Sequence, residues 1–125
     1  PVLTDLEQPN GIIGSLDGQT LYVSAGGGSR TYAYDIGADG VLRNKRLFCE
    51  LGSDGMTTDN QGNVYLTGKG VTVFDKAGKQ IEHIDVPQDW TANVTFGDSR
   101  HDMLFITASK AIYGIRMRVR GTLEE

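Results

Sequence analysis

Cysteine and basic charge are both scarce in this chain, and each shortage narrows what the protein can be. Its single cysteine, Cys49, cannot close an intrachain disulfide. Lying in the apolar stretch Leu47-Phe48-Cys49, it reads as a small buried hydrophobe rather than a reactive thiol. Only 12 Lys and Arg stand against 16 Asp and Glu, for a formal net charge of -4. Nucleic-acid affinity is supplied largely by clustered cations, so no nucleic-acid partner is expected. No apolar run approaches the roughly 20 residues that span a bilayer, so no membrane partner is expected either. The chain reads as soluble, in a compartment its residues leave unassigned. Also missing are a Gly-x-Ser-x-Gly nucleophile elbow and a Gly-Lys-Ser/Thr ending to the run Gly26-Gly27-Gly28. Neither His83 nor His101 has a Cys or His partner at zinc spacing.

What is abundant is glycine, 17 residues in all, set between short alternating segments as turns are in all-β folds. Three stretches align: Asn10-Gly11-Ile12 through Asp17-Gly18 to Leu21-Tyr22-Val23; Asp54-Gly55-Met56 through Gln61-Gly62 to Val64-Tyr65-Leu66; and Asn93-Val94-Thr95 through Asp98 to Leu104-Phe105-Ile106. Their starts lie 44 and then 39 positions apart. A period of about 40 to 45 residues belongs to four-stranded propeller blades. A third strand follows each pair, near residues 31–36, 71–75 and 112–116, and a fourth follows in the first two units only. The expected fold is a single partial β-propeller domain over 1–125, with a leading outer strand at 1–7 and blade units near 8–50, 51–88 and 89–120. Propellers carry about four to eight blades, so three form an open arc.

Three runs of residues go beyond a generic propeller. Gln8-Pro9-Asn10-Gly11 with Ser15-Leu16-Asp17-Gly18 and Thr20-Leu21-Tyr22-Val23 resembles the "PNG, SPDG, TLYV" segment of the senescence-marker-protein/gluconolactonase/luciferin-regenerating-enzyme family. Asp54-Gly55-Met56 with Asp59-Asn60-Gln61-Gly62-Asn63-Val64-Tyr65 is similar to its "DGM, D-x-x-GN-x-Y" segment, and the stretch from Asn93 to Met117 to its closing blades. The resemblance covers essentially the whole chain and implies a six-bladed propeller with one divalent metal in its channel, most often calcium, hydrolysing sugar or related lactones. Magnesium, manganese and zinc are the alternatives. The family's ligands are a Glu and an Asn from its first half, then the Asn of the PNG motif and the Asp of the DG motif. The last two map onto Asn10 and Asp54, and the first two have no counterpart here.

Asn10 and Asp54 each open an inner strand, so propeller geometry places both at one rim of the channel. An amide and a carboxylate oxygen suit a hard cation. Asp54 could also act catalytically, taking the proton of an attacking water. The plainer reading is that Asn-Gly and Asp-Gly only make turns. Asn93 takes the same place in the third unit by sequence count, as a substrate-binding or a blade-backbone residue. Arg30 and Lys69 lie in loops that return to this rim, as lactone contacts or as solvated charge. Three blades twice make six, so a homodimer is expected to complete the ring, with residues 2–6 closing the partner's third blade. A metal-dependent lactonase is the leading expectation. A non-catalytic binding or scaffold propeller, or an inactive fragment of a longer lactonase, is the alternative.

Overall fold

The computed structural model describes residues 1–122. Among them the fold is all-β, with eleven strands in three antiparallel sheets. The first sheet runs β1 (Ile12–Gly14), β2 (Thr20–Ala25), β3 (Arg30–Ile36) and β4 (Leu42–Cys49) in order. The second repeats the pattern with β5 (Met56–Thr58), β6 (Val64–Gly68), β7 (Gly70–Phe74) and β8 (Gln80–Ile84). The third has β9 (Thr91–Gly97), β10 (Met103–Ala108) and β11 (Ala111–Arg116). The first strand of each sheet packs beside the first strand of the next, β1 on β5 and β5 on β9, which is the inner ring of a propeller.

The hairpins form where they do because a short acidic side chain starts the turn. Asp17, Asp39, Asp59, Asp75 and Asp98 each accept the amide N–H two residues on, at 2.9 to 3.1 Å. The carboxylate thereby replaces a backbone acceptor and closes the turn locally. Asp59 is the most committed of them. It is buried, and it also accepts from the Asn63 backbone and side chain and from the Tyr65 hydroxyl, the last at 2.8 Å. Much of the chain's acidity is therefore spent on turns.

The second sheet is buried on both faces. Val64 and Leu66 pack with Tyr22, Ala33, Cys49 and Met56 of the first interface, while Tyr65, Val71 and Val73 pack with Val94, Phe96, Leu104 and Ile106 of the second. The free faces of the two end sheets keep apolar side chains in solvent: Ile12 and Leu47 on the first, Phe105 and Ile112 on the third.

Residues 1–7 do not form the outer strand expected of them. They are tied instead to their own first sheet. Asp5 accepts from the Tyr34 hydroxyl at 3.4 Å and pairs with Lys45 at 3.2 Å, and the Glu7 carbonyl accepts from the Gly26 amide at 2.7 Å. These bonds hold the segment at the β2–β4 side of the arc, away from β11. Among the described residues the third sheet has no fourth strand, as its sequence suggested. After β11 the chain crosses back to the second sheet, where Gly121 bridges to Asp59.

Candidate functional site

Asn10 and Asp54 are in contact. Asn10 Nδ2 donates to Asp54 Oδ1 at 2.9 Å. The glycines that follow them are what permits this, and neither lies in the left-handed region that a turn glycine occupies. The Gly11 amide donates to the Ser53 carbonyl at 3.0 Å, and a Cβ on Gly11 would stand 2.6 Å from that oxygen. A Cβ on Gly55 would stand 2.1 Å from Asn93 Oδ1. Asn-Gly and Asp-Gly are thus points where one inner strand presses on the next, not turns.

The backbone beneath Asp54 is rigid. Ser53 is buried; its Oγ accepts from the Thr67 amide at 2.8 Å and donates to the Gly55 carbonyl, and its carbonyl accepts from Ser24 Oγ. Asp54 itself differs from the turn-forming aspartates because both its donors are side chains. Its second oxygen, Oδ2, accepts from the indole Nε1 of Trp90 at 3.1 Å. Neither a backbone amide nor a Lys or Arg engages it among the described residues. Asn10, Asp54 and Trp90 line a groove of about 370 Å³, walled on the other side by Gly27 and Gly28. A larger cavity of about 490 Å³ opens at the opposite rim between Asp17, Arg46 and Lys76. Size alone would have selected the wrong end of the strands.

Asn93 does not hold the place equivalent to Asn10 and Asp54. Met56 pairs with Leu66, and Val94 with Ile106, which are corresponding positions of the second and third hairpins. Asn93 therefore corresponds to Gly55. The slip comes from the length of the third hairpin, in which the paired Val94 and Ile106 lie 12 positions apart where Met56 and Leu66 lie 10 apart. Asn93 Oδ1 accepts from the Val94 amide at 2.9 Å and lies against Gly55. Arg30 and Lys69 are not brought to the groove either. Arg30 opens β3, where its guanidinium is held further into its charged form by a hydrogen bond to the Tyr32 side chain and by Glu50. Lys69 lines a separate cleft with Glu50, Leu51 and His83. The loops do return to this rim, but neither cation lines the groove.

Trp90 is the site residue that sequence reasoning missed. The signal was present as the chain's single tryptophan directly ahead of an inner strand. Its backbone is pinned on both sides. The Trp90 carbonyl accepts from Ser109 Oγ at 3.2 Å, and the buried Thr91 hydroxyl bonds to the backbone of Gly68 and Gly70.

The donor set at the groove suits a hard cation in kind. A half-turn of the Asn10 amide exchanges its NH2 for its carbonyl oxygen, placing two oxygens side by side. It does not suffice in number, since Ca²⁺ takes six to eight oxygens and no group of three His, Cys, Asp or Glu could hold a metal among the described residues.

The fold and groove define an arc of a β-propeller that carries an amide–carboxylate pair at its inner rim. The chain belongs to the SMP-30/gluconolactonase/LRE-like family, whose model matches residues 1–110. It is similar to a gluconolactonase structure from Xanthomonas campestris, with a TM-score of 0.81 at 35% identity, covering 91% of this chain and 39% of that one. The structure of regucalcin from Agrobacterium tumefaciens shares the fold, with a TM-score of 0.85 at 22% identity over 98% of this chain and 50% of that one. A protein of Sulfolobus acidocaldarius is 29% identical over 136 residues, which is 96% of this chain and 50% of the relative. The chain spans half or less of the length of the curated relatives it matches. Among the described residues no helix is long and apolar enough to cross a membrane.

Proposed function

We propose that the Asn10–Asp54 pair is half of a divalent-metal site that hydrolyses a lactone. The observation that carries this reading is the 2.9 Å contact between the two side chains, with Asp54 free of the backbone bond that occupies every turn-forming aspartate. The Xanthomonas relative is a gluconolactonase, and the Agrobacterium protein of this fold is a calcium-binding protein. Calcium is the proposed metal on the hardness of the two donors.

Asn10 and Asp54 would each offer one oxygen, and the cation when bound would supply polarisation of the lactone carbonyl. Asp54 has capacity left for acid–base work. Each carboxylate oxygen has two lone pairs, so Oδ2 can keep the Trp90 bond and still accept the proton of an attacking water. Ser53, locked by its own bonds, keeps that carboxylate from swinging away. The remaining ligands must come from another half-ring. We propose a second copy of this chain, because its two ends each leave apolar side chains exposed, Ile12 with Leu47 and Phe105 with Ile112, and two copies meeting at both ends close one ring.

A panel of sugar lactones, assayed with calcium, magnesium, manganese and zinc in turn, tests the reading. Turnover that requires a divalent cation and disappears in Asp54→Asn supports it. A protein that binds no cation and turns over no lactone is a scaffold propeller.

A further inference from the structure

Trp90 holds Asp54 by one edge, yet half of its residue surface remains in solvent, 50% exposed. Of the chain's aromatics, Tyr34, Tyr65 and Phe96 are by contrast buried. Its pose is fixed from three directions. The indole N–H is bonded to Asp54 Oδ2, the carbonyl is held by Ser109, and the far edge reaches toward Gly68, where a Cβ would stand 3.7 Å from Cη2. The ring therefore forms a wall of the groove that also contains Asn10 and Asp54. A tryptophan with its polar edge satisfied offers what is left, a broad apolar face, and a fixed apolar face beside polar groups is the usual make-up of a small-molecule subsite.

We infer that Trp90 is the platform on which a ring-closed substrate is laid, its saturated C–H face against the indole and its carbonyl side toward Asp54. This rests on the lactone-site reading above and adds to it a source of selectivity. A cyclic sugar presents a flat C–H face to the indole, whereas the open-chain polyol of the same composition must first be ordered to do so. The site should then prefer cyclic over open-chain ligands through this one side chain, with no help from Arg30 or Lys69.

The test uses 1,5-anhydroglucitol, a cyclic polyol with no carbonyl to hydrolyse, against open-chain glucitol, both read by saturation-transfer NMR on the ligand. Saturation should pass to the C–H protons of one ring face in the cyclic compound and not to glucitol. Trp90→Phe, which keeps a flat ring and loses the N–H, should retain the preference. Trp90→Ala should lose it, with affinity for the cyclic ligand weakened about tenfold. Circular dichroism establishes that both variants are folded. Equal transfer to both polyols, or cyclic binding unchanged in Trp90→Ala, overturns the inference. A calcium titration followed by the emission of this single tryptophan separates the two readings. Calcium response without cyclic preference removes the platform and leaves the metal site, while cyclic preference without calcium response does the reverse.

Discussion

The side chain of Asn93 occupies the space that Gly55 leaves by having none. A Cβ on Gly55 would stand 2.1 Å from Asn93 Oδ1 and 2.5 Å from its Cγ. Gly55→Ala should therefore destabilise the chain by about 1–3 kcal/mol, the usual cost of overpacking a close contact. Adding Asn93→Ala should recover most of the loss. A double-mutant cycle by chemical denaturation checks this, and additive losses would mean that the two residues do not share the space.

Gly11 is the harsher site, because its neighbour is backbone. The Ser53 carbonyl would stand 2.6 Å from an added Cβ and cannot rotate away. Gly11→Ala should lower the melting temperature more than Gly55→Ala does and should part Asn10 from Asp54. Loss of calcium-dependent stabilisation in that variant, with the blade cores still folded, is the expected readout.

Replacing Asp54 by Asn removes a charge while keeping nearly the same shape. Lactone turnover should fall by about a hundredfold or more, as removal of a preorganised charge commonly causes. The wild type should melt higher with calcium than with chelator, by up to about 2.7 kcal/mol of added stability at a hundredfold excess over Kd. Asp54→Asn should show no such difference in calorimetry.

Alkaline stability should depend on Tyr34. Burial pushes its phenol up to about 12, and the Asp5 carboxylate that accepts its proton adds to the effect. The folded state thus holds this proton more tightly than the unfolded chain. Its stabilisation is complete below about pH 10 and is lost as pH rises toward about 12, by at most about 3 kcal/mol. Denaturation midpoints measured across this window should fall, and Tyr34→Phe should flatten the slope.

Assembly is checked by mass in solution. A particle of twice the 13.6 kDa chain mass is expected at micromolar concentration, and charged substitutions at the open faces, Leu47→Glu with Phe105→Glu, should return it to a single chain. A stable monomer would remove the second-copy proposal.

The blades were legible because their chemistry is local. Asp17, Asp59 and Asp98 sit where a turn must start, and alternation around Tyr22, Tyr65 and Phe105 marks the strands between. The pairing of Asn10 with Asp54 could be anticipated from strand order alone. The placement of Asn93 could not. Counting residues made it the third member of that set, whereas the longer pairing of β9 with β10 puts it in line with Gly55. In the single chain the leading segment forms no strand. Its apolar residues suit a strand, but a strand needs a free edge within reach, and bonds from Asp5 and Glu7 commit it to the first sheet.

The sequence by itself determined the repeat, the all-β class and the family, since strand period, turn residues and motif order are properties of neighbouring positions. Tertiary structure decided which side chains share the groove. That choice depends on how closely one inner strand approaches the next and on the register of each hairpin, both set by backbone contacts. Trp90 at the carboxylate, with Arg30 and Lys69 away from it, follows from those contacts and from nothing adjacent in the chain.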